Sequence, residues 1–84
     1  MTEREQTLRR TCLEHLANIP AGYTTSEKAV CSYVYLAVAP EATTTETQAT
    51  LARLEADRLA TCVVNALGEK RWSITTAGRA ALNE

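Results

Sequence analysis

The sequence predicts a mainly α chain with one small β-hairpin, an α+β fold in the order α-β-α-α-β-β-α. Three observations predict it. Residues 45–60 keep a helical period, with Leu51, Leu54 and Leu59 on one stripe and Thr50, Arg53 and Asp57 on the other side. The period then changes: Cys62-Val63-Val64 is β-prone, Leu67-Gly68-Glu69-Lys70 supplies a turn, and Arg71-Trp72-Ser73-Ile74-Thr75 returns in alternation with Trp72 and Ile74 on one face. A hairpin over 61–75 is therefore expected, and Thr75 or Thr76 caps a closing helix at 77–83.

The remaining elements follow in order. Residues 3–18 read as a first helix, with Leu8, Cys12, Leu16 and Ile19 at helical spacing and Arg4, Arg9, Arg10 and Glu14 on the other faces. Thr2 is its N-cap, Glu3 and Glu5 suit the positive end of the helix dipole, and Pro20-Ala21-Gly22 ends it. Tyr23-Thr24-Thr25 is a short strand. Thr25 or Ser26 caps a second helix over 26–38, whose apolar positions (Ala29, Val30, Tyr33, Val34, Leu36, Ala37, Val38) spread wider than one stripe. Such a helix is buried on more than one side. The alternative is a face given to a second copy, with Tyr35 as its exposed anchor. Pro40 stops this helix, and Thr43, Thr44 and Thr45 offer successive caps for the third. Thr44 or Thr45 is favoured, because Gln48 completes a capping box with Thr45.

Length sets the scale. Eighty-four residues make a single small domain, 1–84, given that domains start at about 50. A chain this short buries only about 60% of its unfolded surface. With 45% hydrophobic residues it folds without a disulfide framework, but with no Phe and one Trp its core rests on Leu, Val, Ile, Ala and the tyrosines. Stabilisation by a second copy is consistent with that scarcity.

The run Leu51-x-x-Leu54-x-x-x-x-Leu59, followed by Trp72-Ser73-Ile74-Thr75-x-x-Gly78-Arg79-x-x-Leu82, resembles the second half of a winged helix-turn-helix domain. Bacterial regulators of the MarR, PadR and ArsR kind end their wing with a similar Ile-Thr-x-x-Gly-Arg-x-x-Leu run. The resemblance implies a small transcriptional regulator that binds double-stranded DNA, its third helix in the major groove and its wing on the backbone. Carried over, the groove-facing residues are Thr45, Gln48, Thr50 and Arg53. Gln reads adenine, Arg guanine, and Thr phosphate or a thymine methyl. Lys70 and Arg71, beside Gly68 and Glu69 at the wing, are the phosphate contacts.

Charge gives this reading mixed support. Net charge is −1, but residues 61–83 hold Lys70, Arg71 and Arg79 against Glu69 alone, so the positive end coincides with the wing. Glu46, Glu55 and Asp57 lie on or beside the third helix, and carboxylates are repelled by phosphate. The competing picture is a solvated face with Arg53 paired to Asp57 at i, i+4. A winged-helix module that binds protein instead of DNA is thus the alternative function, with a homodimer or another protein as partner. Size alone suggests a phage or other mobile element as its source.

Other functions are poorly served. Cys12-x-x-His15 puts two metal-ligand types on one helix face, but zinc needs three or four ligands, so Cys31 and Cys62 would both have to converge there. The cysteines read as small buried residues. One His, no Gly-rich phosphate loop and no close carboxylate pair leave no basis for an enzyme, and no cofactor is expected. The charged start is no signal peptide, no apolar run approaches the roughly 18 residues a membrane span requires, and three unpaired cysteines suit a reducing cytoplasm.

Overall fold

A computed structural model describes residues 1–83. Its elements are α1 (Glu3–Ala17), β1 (Thr25–Ser26), α2 (Glu27–Ala37), α3 (Thr44–Ala56), β2 (Ala60–Val64), β3 (Lys70–Ile74) and α4 (Thr76–Leu82). The fold class is the expected α+β arrangement, in the expected order.

Each helix begins at a hydroxyl. Thr2 accepts from the Glu5 amide, Ser26 from Ala29 and Thr75 from Gly78. The third helix differs from expectation. Its cap is Thr43, earlier than Thr44 or Thr45, and the capping box closes through Glu46, whose carboxylate accepts from the Thr43 amide at 3.1 Å. Glu46 outcompetes Gln48 for this role because a carboxylate also answers the positive helix end.

At its other end α3 stops at Ala56, short of residue 60. Arg58 takes a left-handed conformation (φ 62°), the Leu59 amide reaches back to Leu54 O at 2.9 Å, and the Arg58 amide reaches Glu55 O at 3.0 Å. This is a Schellman closure with an arginine where glycine is usual.

The sheet order is β1-β3-β2, all antiparallel, with Trp72 opposite both Thr25 and Cys62. Because β1 pairs with β3, Ser26 lies opposite Arg71, and the first turn of α2 is brought against the turn end of the hairpin. The hairpin turn is closed from within. Asn65 Oδ1 accepts from the amides of Leu67 and Glu69, both at 2.9 Å, while Gly68 supplies the positive φ of 80°.

The core joins Leu8, Cys12, Leu13 and Leu16 of α1, Val30 and Val34 of α2, Leu51 and Leu54 of α3, and Trp72 of β3. Each fully buried Leu contributes about 1.5–3 kcal/mol. Two expectations fail here. The tyrosines stay outside: Tyr23 is 68%, Tyr35 54% and Tyr33 36% exposed. Likewise α2 buries only one stripe, Val30 and Val34, leaving Tyr35 and Leu36 in the open. The helix rests on α1, α3 and the sheet along a single side, so its breadth of apolar residues is not matched by breadth of burial.

The Ile74-Thr75-x-x-Gly78-Arg79 run turns out to be a structural clasp. Thr75 Oγ1 donates to Arg58 O at 2.8 Å while accepting from the Gly78 amide. Gly78 is buried, and a Cβ there would collide with the Leu59 carbonyl oxygen and lie 2.7 Å from Ile74 Cγ1. Arg79 donates to Ala17 O at 3.1 Å and Ile19 O at 3.2 Å, satisfying carbonyls at the end of α1.

Candidate nucleic-acid interface

The outward side of α3 is formed by Thr45, Gln48, Ala49 and Ala52, all exposed, with Arg53 on its flank. These are short or uncharged side chains, which lets a helix approach another surface closely. Thr50 is not among them. It is 8% exposed and its hydroxyl donates to Glu46 O at 2.9 Å, so the stripe that periodicity assigned to solvent is turned inward at this residue.

Three ion pairs link α3 to α1. Arg4 grips Glu46 through two hydrogen bonds of 2.9 and 3.1 Å, Arg9 meets Asp57 at 2.9 Å, and Arg53 meets Glu5 at 3.1 Å. Arg53 therefore does not pair with Asp57 along its own helix. The hydrogen bonds from Arg4 hold the Glu46 carboxyl at about 2, well below the usual carboxylate range, helped by the Thr43 amide. Two of the acidic groups that weigh against phosphate are thereby matched by arginines of α1. Glu55 has no ion-pair partner among the described residues.

Strand alternation separates the two basic residues of the wing. Successive side chains point to opposite faces, so Lys70 shares the Trp72 face and turns toward α2 and α3. Arg71 goes to the other face, where Nε donates to Thr24 Oγ1 at 2.8 Å and Nη2 to Thr24 O at 2.9 Å. Its guanidinium ties β3 to the segment before β1.

What forms instead is a cleft between the start of α2, α3 and the turn end of the wing, lined by Ser26, Glu27, Lys28, Gln48, Glu69 and Lys70. Lys28 and Lys70 are exposed and have no ion-pair partner among the described residues. Glu27 crosses the cleft floor: its Oε1 accepts from Trp72 Nε1 at 3.2 Å and its Oε2 from Gln48 Nε2 at 3.3 Å. Glu69 Oε1 is engaged by Asn65 Nδ2 at 3.3 Å. Of the six residues singled out in the sequence, the cleft takes in Gln48 and Lys70. Thr45 is exposed one turn earlier on α3, and Thr50, Arg53 and Arg71 are engaged elsewhere. Lys28 and Glu27 were not foreseen. Their signal was the short strand ahead of α2, whose pairing with β3 places the first turn of that helix beside the wing.

The cysteine–histidine pair on α1 gains no third ligand among the described residues. No group of three or more metal-ligating side chains exists among the described residues. Burial pushes the Cys12 thiol up to about 12, with Cys31 nearby adding to the effect, so it is an inert core group. His15 stacks on Tyr33 with ring centroids 4.6 Å apart; its Nε2 is buried without a hydrogen-bond partner, and burial lowers its pKa. No helix among the described residues is long and apolar enough to cross a membrane.

No protein-family model matches the chain, and no curated protein matches it in sequence. Solved structures do resemble it. A MarR-family transcriptional regulator from Silicibacter pomeroyi superposes with a TM-score of 0.73 at 22% identity, over 92% of this chain and 47% of that one. A candidate DNA-binding protein from Ralstonia eutropha JMP134 superposes with a TM-score of 0.71 at 17% identity, over 99% of this chain and 95% of its own. The chain thus spans about half the length of the first and nearly all of the second. At these identities the likeness establishes the winged-helix fold, with α3 in the place of the third helix and β2–β3 as the wing.

Proposed function

We propose that this chain binds double-stranded DNA and acts as a small, non-enzymatic transcriptional regulator, with α3 entering the major groove and the wing lying along the backbone. The observation that carries the reading is the cleft. It gathers Gln48 with two cations, Lys28 and Lys70, neither of which forms an ion pair among the described residues although Glu27 and Glu69 line the same cleft. Lysines gathered beside a reading helix suit adjacent phosphates, while Gln48 and Thr45 offer hydrogen bonds to base edges. The pairing of Glu46 and Asp57 with α1 removes much of the repulsion a phosphate would meet on α3. The two similar structures, one of a transcriptional regulator and one of a candidate DNA-binding protein, point the same way.

The test is fluorescence anisotropy with a mixed-sequence duplex, titrated at low and at physiological salt. Binding is expected to weaken with salt, and Lys28→Ala/Lys70→Ala to flatten the log–log slope by about 0.9 for each phosphate that is no longer neutralised. Absence of binding at low salt would falsify the proposal.

A second reading, a module that binds protein or a second copy of itself, is supported by Tyr35 at 54% and Leu36 at 83% exposure on α2. It predicts that Tyr35→Ser/Leu36→Ser abolishes association while the lysine changes leave it intact.

A further inference from the structure

A single carboxylate connects the core, the wing and the reading helix, and it is placed to decide how Gln48 reads. Trp72 is 3% exposed and fixed at the centre of the sheet, so its Nε1 is an immobile donor. It holds Glu27 Oε1 at 3.2 Å. Glu27 is itself the first residue of α2 after the Ser26 cap, so its backbone is equally constrained. Its other oxygen accepts from Gln48 Nε2 at 3.3 Å. A carboxylate only accepts hydrogen bonds, so the nitrogen side of the Gln48 amide has to face it, and the amide cannot turn over without losing that bond.

From this geometry we infer that Glu27 is a positioning residue for base recognition: by occupying one N–H of Gln48, it presents the remaining N–H and the carbonyl oxygen as an oriented donor–acceptor pair. The inference rests on the DNA-binding reading above. In the major groove that pair matches the N7 acceptor and N6 amino donor of adenine. Guanine offers acceptors at both N7 and O6, and an amide free to swing satisfies O6 with its second N–H. An amide held by Glu27 turns its oxygen toward O6 instead and is repelled. Glu27 therefore acts at a distance from the base. It trades some attraction for phosphate, as a negative charge within the cleft, for discrimination at one base pair. Trp72 supplies the rigidity that makes the orientation persistent.

The experiment selects bound duplexes from a randomised library with the purified full chain, then measures competition by duplexes changed at one position at a time. The wild type is expected to prefer A·T at one position. Gln48→Ala should erase that preference, a loss of roughly 5- to 150-fold in discrimination. Glu27→Gln should weaken it at the same position by roughly 2- to 12-fold, the range for leaving one side chain to be ordered on binding, while affinity for non-cognate duplex rises. Glu27→Asp keeps the charge but shortens the reach, and should weaken the same position without that rise; it also serves if Glu27→Gln melts at a lower temperature. A hydrogen bond of purely structural value, once removed, would lower thermal stability and leave the base profile unchanged. If Gln48→Ala erases the preference and both Glu27 variants keep it, this inference is overturned and DNA binding stands. A wild type that binds without a Gln48-dependent preference overturns it too. A wild type that binds no duplex at low salt overturns both this inference and the reading beneath it.

Discussion

Arg4 and Glu46, 42 positions apart, are joined by two hydrogen bonds of 2.9 and 3.1 Å, so the first turn of α1 is fastened to the capping box of α3. The same carboxylate that closes the box is the one the arginine neutralises. Both side chains are about one-third exposed, which keeps the pair's contribution to stability modest.

The pair should be visible in acid. Glu46 sits at about 2 in the folded chain against 4.5 for an ordinary carboxyl. A depressed folded value stabilises above the unfolded value and is lost as pH falls from 4.5 toward 2. Thermal melts as a function of pH should show Arg4→Ala less stable than wild type near neutrality, with the gap narrowing below pH 4.5. A gap that holds constant down to about 2 would mean that the arginine acts through packing alone.

His15 gives a second, separable pH response. Burial against Tyr33 lowers its pKa below 6.5, so the folded chain takes up its proton less readily than the unfolded one. Stability from this group is complete above 6.5 and declines as pH falls from 6.5 to the lower folded value. His15→Phe keeps a ring on Tyr33 and removes both the titration and the unpartnered Nε2. The variant should gain on the wild type as pH drops below 6.5, measured by urea unfolding at successive pH values.

Gly78 is expected to tolerate nothing larger. Its Cβ position is occupied by the Leu59 carbonyl and by Ile74, and forcing atoms into a packed site costs typically about 1–3 kcal/mol. Gly78→Ala should lower the urea midpoint accordingly, with an unchanged m-value. An unaltered midpoint would show that α4 can slide away from Leu59 without loss.

Arg58 offers the opposite sign. It holds φ 62° at the end of α3 without an ion pair among the described residues. A side chain in that conformation costs roughly 1–2 kcal/mol that glycine avoids, part of which glycine returns as backbone entropy. Arg58→Gly should therefore raise the melting temperature by a few degrees, a shift of about 4–8 °C corresponding to 1 kcal/mol in a domain of this size.

What could be read from the chain was whatever depends on neighbours in sequence. Leu51 and Leu54 are buried because a helical stripe must face something, and Trp72 is buried because alternation paired it with Ile74 on one side. The Ile74-to-Leu82 run was recognisable as a unit, although its physical content, a close approach at Gly78 and carbonyl capping by Arg79, emerged only with the partners in place. The surface was less legible because its side chains are claimed by residues far away in sequence. Arg53 and Glu5 lie 48 positions apart, and Arg71 and Thr24 lie 47 apart. The sequence groups Lys70 with Arg71 because Lys70 reads as part of the turn; with β3 starting at Lys70, alternation sends the two to opposite faces. Lys28 was overlooked for a related reason: only the pairing of the two residues of β1 with β3 brings it into the cleft.

The wing owes its shape to Asn65, whose one oxygen restrains the amides of Leu67 and Glu69. Leu67, 83% exposed at the tip, is thus carried on a prong whose curvature is set before any encounter. The speed with which this surface engages whatever it meets should follow diffusion and the field of the nearby lysines, and differences in grip should appear in how long the complex lasts.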